Sequence, residues 1–139
     1  MAKLIRIITL LILVLLFSCE KQGLFVNCSE CTGEEPTNTD IQIKVSVSEA
    51  NPAVPVRVYE GFLGDSILYS TLTAHLKNNY INLTINKQYT FTATYYIGGK
   101  KYITVDSATP QVKYEKDQCD NPCYFVYDKE VNLKLKYTK

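Results

Sequence analysis

The amino-acid sequence predicts an all-β protein, a single antiparallel β-sandwich of 7–8 short strands, and three observations lead there. Apolar residues recur with period two in several runs between residues 41 and 137. Turn-forming clusters separate these runs about every 8 to 15 residues, the spacing of sandwich domains. No ten-residue stretch of this region carries a helical period. With 139 residues, 46% hydrophobic and 21% charged, the chain has material for one core rather than two.

The chain opens with Lys3 and Arg6, followed by an eleven-residue apolar run from Ile7 to Phe17 broken only by Thr9. A spanning helix needs about 20 apolar residues, and Glu20 and Lys21 follow almost at once, so residues 1–18 read as a signal peptide. Its end, Leu16-Phe17-Ser18-Cys19, resembles the lipobox of bacterial lipoproteins, with Phe17 where a small residue is more usual. The resemblance implies diacylglyceryl transfer to the Cys19 thiol, cleavage before Cys19 and acylation of the new amino group. It places the mature protein in the bacterial cell envelope, as an outer-membrane lipoprotein on the periplasmic or the surface face. Two or three acyl chains, at about 0.8 kcal/mol per buried CH₂, make a durable membrane anchor. The alternative is an ordinary secretory leader with Cys19 buried or disulfide-bonded.

Cleavage there leaves 121 residues with 13 basic and 14 acidic side chains, against a formal charge of +1 for the whole chain. That balance offers no basic footprint for nucleic acid and no acidic tail. Residues 19–40 are polar and turn-forming, with Leu24-Phe25-Val26 as their apolar patch, and read as a flexible tether for a domain over residues 41–139.

The tether carries Cys28 and Cys31 as C-x-x-C, and Cys119 and Cys123 form C-x-x-x-C near the other end. In an oxidising envelope these four read as two disulfides. Sequence leaves three connectivities open. Bridges between the clusters would each close about 90 residues and restrict the unfolded chain by roughly 4 to 5 kcal/mol, more than local bridges could, which favours crossed pairing. The same spacing permits tetrahedral thiolate ligation of zinc. A thioredoxin-type redox centre needs a helix N-terminus at the first thiol, and neither a preceding strand nor a following apolar helix is present here.

Ile41, Ile43, Val45 and Val47 alternate with polar residues as the first strand. Asn51-Pro52 turns the chain, and Val54, Val56 and Val58 share the next inward face, with Pro55 marking an edge strand or a strand start. Ser66 to Thr73 and Tyr80 to Ile85 follow. The clearest strand runs from Tyr89 to Ile97, where Tyr89, Phe91, Ala93 and Tyr95 face one way and Thr90, Thr92, Thr94 and Tyr96 the other. Gly98-Gly99 supplies the hairpin. A three-residue loop over Gly98-Gly99-Lys100 would pair Tyr95 with Ile103 and Ala93 with Val105, keeping one face apolar, and that register is expected. Gln111 to Tyr114 forms a short strand, and Val131, Leu133, Leu135 and Tyr137 line the last.

The series VPVRVYEG, NKQYTFTATYY, GGKKYITVD and VNLKLKY resembles the immunoglobulin-like or transthyretin-like domains of small Gram-negative envelope lipoproteins. Such domains are mostly binding or structural modules, so the resemblance brings no catalytic residue.

The inventory for chemistry is thin. His75 is the one histidine, no G-x-S-x-G accompanies it, and the single glycine pair reads as a hairpin rather than a phosphate cradle. Asp117, Asp120, Asn121 and Asp128 crowd the second cysteine loop without the EF-hand ligand order, and read as solvated; no metal or cofactor is expected. Eleven tyrosines stand out. Tyr59, Tyr96 and Tyr102 are expected on outward faces, where a rigid ring with a wet hydroxyl suits a protein or glycan partner. Asp65-Ser66-Ile67 and Asp106-Ser107-Ala108 resemble the O-glycan acceptor of some Gram-negative envelope proteins. The sequence therefore predicts a non-enzymatic, lipid-anchored binding, adhesion or assembly module. The alternative is a thiol redox or structural-metal protein using Cys28, Cys31, Cys119 and Cys123.

Overall fold

The computed structural model describes residues 26–64 and 67–136. Among them run nine strands: β1 (Asn38–Lys44), β2 (Val54–Glu60), β3 (Ile67–Ala74), β4 (Asn78–Thr84), β5 (Tyr89–Ile97), β6 (Lys100–Ala108), β7 (Gln111–Glu115), β8 (Cys123–Tyr127) and β9 (Glu130–Asn132). The helical content of these residues is one 3-10 turn, Cys28–Glu30. The all-β expectation holds, but the count of 7–8 was low. Cys123–Tyr127 is five consecutive apolar residues with no alternation, and so lacks the period that identifies a strand in sequence.

Two sheets, ordered β4-β1-β9 and β3-β2-β5-β6, share one core, and β7 and β8 form a separate hairpin. Ile41, Ile43, Leu83, Val131 and Leu133 from the first sheet and its C-terminal extension meet Val54, Val56, Val58, Tyr89, Phe91 and Ala93 from the second, all at most 1% exposed. The pairing is not wholly antiparallel as expected: β9 runs parallel to β1, setting Val131 beside Ile43. The chain's end thereby returns to the edge of its first strand and completes the core there. Pro55 marks a strand start, not an edge. It pairs with Thr73 on β3, while the β5 ladder begins one residue later at Val56.

The β5–β6 hairpin corrects the expected register. Tyr95 opposes Tyr102, Thr94 opposes Ile103 and Thr92 opposes Val105, so the loop has two residues. Gly98 and Gly99 both take positive φ, 55° and 76°, the conformation of a primed turn whose twist matches the flanking strands. Ile103 and Val105 consequently stand on the outer face, about half exposed. The space they were expected to fill is taken by the segment after β9. Leu133 and Leu135 pack inward, and the Leu133 carbonyl accepts from Thr104 Oγ1 (2.7 Å) and from the buried Tyr95 hydroxyl (2.7 Å).

Side chains also join the sheets where ladders stop. Tyr95 Oη accepts from the Ser46 N–H (3.1 Å), and Ser46 Oγ accepts from the Leu135 N–H (3.1 Å), in place of a longer β1–β9 pairing. Tyr89, at the start of β5, donates from its hydroxyl back to the Thr84 carbonyl (3.1 Å), fixing the crossing between sheets. Burial raises the pKa of both phenols. Buried Asn51 docks the β1–β2 turn onto β5: its Oδ1 accepts from Tyr96 N (2.8 Å) and its Nδ2 donates to Tyr96 O (3.1 Å). Its amide thus mimics a strand where the chain turns.

Candidate functional site

The polar stretch expected to run as a tether to residue 40 is folded against the domain from residue 26 onward. Asn27 caps the 3-10 turn, its Oδ1 accepting from Ser29 N (3.2 Å), which sets Cys28 and Cys31 at the two ends of one short turn. The next residue, Thr32, exchanges two backbone hydrogen bonds with Tyr124 (2.9 and 2.8 Å), adding a rung to the side of the β7–β8 hairpin.

The partner cysteines come from the loop that closes this hairpin. Glu115, 6% exposed at the end of β7, turns Oε1 under the loop, where it accepts from the N–H groups of Lys116, Asp117 and Gln118 (3.0, 3.0 and 3.3 Å). These bonds, the Asp117 N–H foremost, hold its pKa below the usual carboxylate value. The folded loop sets Cys119 against Cys28 and Cys123 against Cys31, with Cα separations of 5.7 and 5.5 Å that suit disulfides. Pairing is therefore crossed, and each bridge spans more than 90 residues. The two bridges lie side by side, with Cys31 Sγ and Cys119 Sγ 4.0 Å apart. Lys129 draws the 3-10 turn toward β9 through its ion pair with Glu30, which lowers the Glu30 pKa.

Among the described residues, the one group of three or more potential metal ligands gathered within 4.8 Å is Cys31, Cys119 and Cys123. Asp117, Asp120 and Asp128 form no such group. Asp128 instead sits in the β8–β9 turn with φ 59°, its carboxylate accepting from Thr109 N. His75 is exposed just beyond β3. Cys19 and residues 1–18, the expected signal peptide, lie outside the described residues, as do Asp65, Ser66 and Tyr137. Ser107 is exposed on β6, but Asp106 is engaged structurally, its Oδ2 accepting from Asn132 N (2.7 Å).

The three candidate tyrosines do not form one surface. Tyr102 opposes Tyr95 and packs against the core, so its expected outward position is wrong; the two-residue hairpin shifts β6 by the one position that reverses every face. Tyr59 and Tyr96 do lie on the outer face, half-buried and exposed respectively. Tyr59 opposes Thr90, six residues from Tyr96 along β5, so they stand about 20 Å apart at roughly 3.3 Å per residue. Between them lie Arg57, Thr92, Thr94, Ile103 and Val105, of which Arg57 alone is charged and Thr92 is itself buried. Sequence reasoning missed Glu115 and Asn51, the two polar side chains that fix the cysteine loop and the first turn. Asn51-Pro52 was legible as a turn; for Glu115 the available signal was its place immediately before the loop.

No family model matches the chain, and no curated protein or solved structure shows significant similarity to it.

Proposed function

We propose that this chain is a lipid-anchored envelope protein whose immunoglobulin-like sandwich serves, without catalysis, as a binding, adhesion or assembly module. The observation that carries the reading is the staple. Cys28 lies nine residues after Cys19, a distance of at most about 30 Å for extended chain, so an anchor at Cys19 would hold the cysteine end of the sandwich close to the membrane. A pull on that anchor would pass through Cys28–Cys119 into the β7–β8 hairpin and bypass β1. The leader and the LFSC segment supply the anchor in this reading, and the outer membrane is its location.

The immunoglobulin-like type is supported by the order of crossing. The first strand and β4 share one sheet, while β2, β3, β5 and β6 share the other in the order β3-β2-β5-β6. Tyr89 bonds back to Thr84 at the turn between sheets, as the tyrosine corner of such domains does. The outer face bearing Tyr59, Tyr96, Ile103 and Val105 is the proposed surface for a protein or glycan. Fractionation with Cys19→Ser tests the anchor. The wild-type chain is expected in the membrane pellet and the variant in the soluble envelope fraction with both bridges intact, whereas equal membrane retention of both would overturn the reading.

The second reading, a thiol redox or structural-metal protein, is favoured by the gathering of Cys31, Cys119 and Cys123 sulfurs. Thiols that alkylate fully after chelation of the native protein would select it.

A further inference from the structure

The two long sides of the sandwich are built differently. On one side β9 and the segment after it close the gap, with Asn132 N donating to Asp106 and Thr104 Oγ1 donating to Leu133 O. On the other side β3 ends its sheet, and among the described residues no strand lies beyond it. A bare edge offers unpaired N–H and C=O groups, and proteins usually blunt it with charge or proline. The β3 sequence, ILYSTLTA, has neither over its eight residues. A bulge at Tyr69, between the Val58 and Tyr59 pairings, leaves Ser70–Ala74 as an uninterrupted edge. By contrast β4, the corresponding edge of the other sheet, has asparagine side chains already engaged: Asn79 with Leu76 O and Asn82 with Asp40.

Exposed apolar side chains are carried by β3 and by the turns at its two ends. Phe62, Leu63, Ile67, Leu68, Tyr69 and Leu76 are six of the eleven exposed large apolar residues among those described. At about 150–200 Å² per large side chain they present roughly 600–700 Å², close to the approximately 800 Å² that one partner contributes to a standard interface.

We propose that this edge pairs with a second copy of the chain, β3 against β3, to make one continuous eight-stranded sheet. Self-pairing is what an uncharged strand permits, because a twofold axis places each residue opposite a copy of its neighbour and would set like charges together. The faces and the extent of the bulge-free edge together set the register. Ser70, Leu72 and Ala74 point inward, opposite Val58, Val56 and Val54, while Thr71 and Thr73 point outward. Opposed residues of an antiparallel pair share a face, so the axis passes through a residue rather than between two, and centring the bulge-free edge Ser70–Ala74 on it puts the axis at Leu72. Ser70 then meets Ala74 of the second copy, Thr71 meets Thr73, and Leu68 and Tyr69 come alongside Leu76. The pairing does not depend on the anchor or on any ligand.

The test is sedimentation equilibrium of the full chain in density-matched detergent. The wild-type chain is expected to show a concentration-dependent monomer–dimer equilibrium. T71K/T73K sets two like-charged pairs across the axis and is expected to weaken the dimer roughly tenfold. T71K/T73E instead sets each lysine opposite a glutamate and is expected to restore the affinity to within about threefold of wild type. Circular dichroism melts check folding, and T71E/T73E replaces the lysine pair if that variant does not fold. A wild-type chain that stays monomeric throughout, a dimer indifferent to the like-charge pair, or no recovery in T71K/T73E overturns the proposal.

Discussion

Removing the two bridges singly and together is predicted to cost more jointly than the single losses add up to. In the loop-entropy account, the first bridge across 91 or 92 positions restricts the unfolded chain by about 4.7 kcal/mol. With that bridge in place, the second closes only a short circuit through Cys28-x-x-Cys31, the existing disulfide and Cys119-x-x-x-Cys123. That circuit is on the order of eight residues and contributes about 2.5 kcal/mol. C28A/C119A and C31A/C123A should therefore each lose about 2.5 kcal/mol, and the four-alanine variant about 7 kcal/mol. Urea unfolding reads the three losses against wild type. A domain of this size holds about 5–15 kcal/mol in total, so the series is run at one fixed concentration of stabilising osmolyte to keep the four-alanine variant measurable. A single-pair loss above about 4 kcal/mol, or a four-alanine loss equal to the sum of the pairs, would refute the side-by-side arrangement or its entropic reading.

Other perturbations address the core, the turn and the loop. Tyr95→Phe removes one hydroxyl that serves both Leu133 O and Ser46 N–H, and should cost about 2 kcal/mol in urea unfolding; Tyr89→Phe removes one bond and should cost about 1 kcal/mol. Gly99→Ala forces a side chain into φ 76° and should lower stability by about 1 kcal/mol, whereas Gly98→Asn, a residue that tolerates left-handed backbone, should be nearly neutral. Glu115 is more acidic in the fold than its ordinary 4.5, so its contribution is present above that pH and is lost as pH falls through the folded-state value. The protection of the Lys116–Gln118 amides, measured against unstructured-peptide exchange at the same pH, should fall as wild type is acidified below pH 4.5, and Glu115→Gln should flatten that dependence.

The inward faces of β1, β2 and β5 were legible because alternation survives wherever one face is dry: Ile41 and Ile43, the three valines of β2, and Tyr89, Phe91, Ala93 and Tyr95 are all buried as read, whereas the burial of Thr90 and Thr92 on the opposite face was not foreseen. The hairpin register was not. Two rules competed at Gly98-Gly99, and the turn's preference for two left-handed glycines prevailed over keeping Ile103 and Val105 inside. What made that possible was the segment around Leu133, a non-local strut that no reading of β5 and β6 alone contains. The same distance in sequence hid the parallel return of β9 and the docking of Thr32 on Tyr124. Of the candidate site, the cysteine set and a preference for crossed pairing were legible from loop entropy. Which cysteine of each cluster meets which depends on the Glu115-bound loop, a matter of backbone geometry.

The central claim is a mature chain that is both acylated at Cys19 and stapled through two disulfides. Intact mass of the protein from native membranes, non-reduced and recorded with and without thiol alkylation, tests both halves at once. The account predicts the mass of residues 19–139 plus acyl chains, less four protons, unchanged by alkylation. A full-length unacylated mass would contradict the anchor, and four alkylatable thiols would contradict the staple.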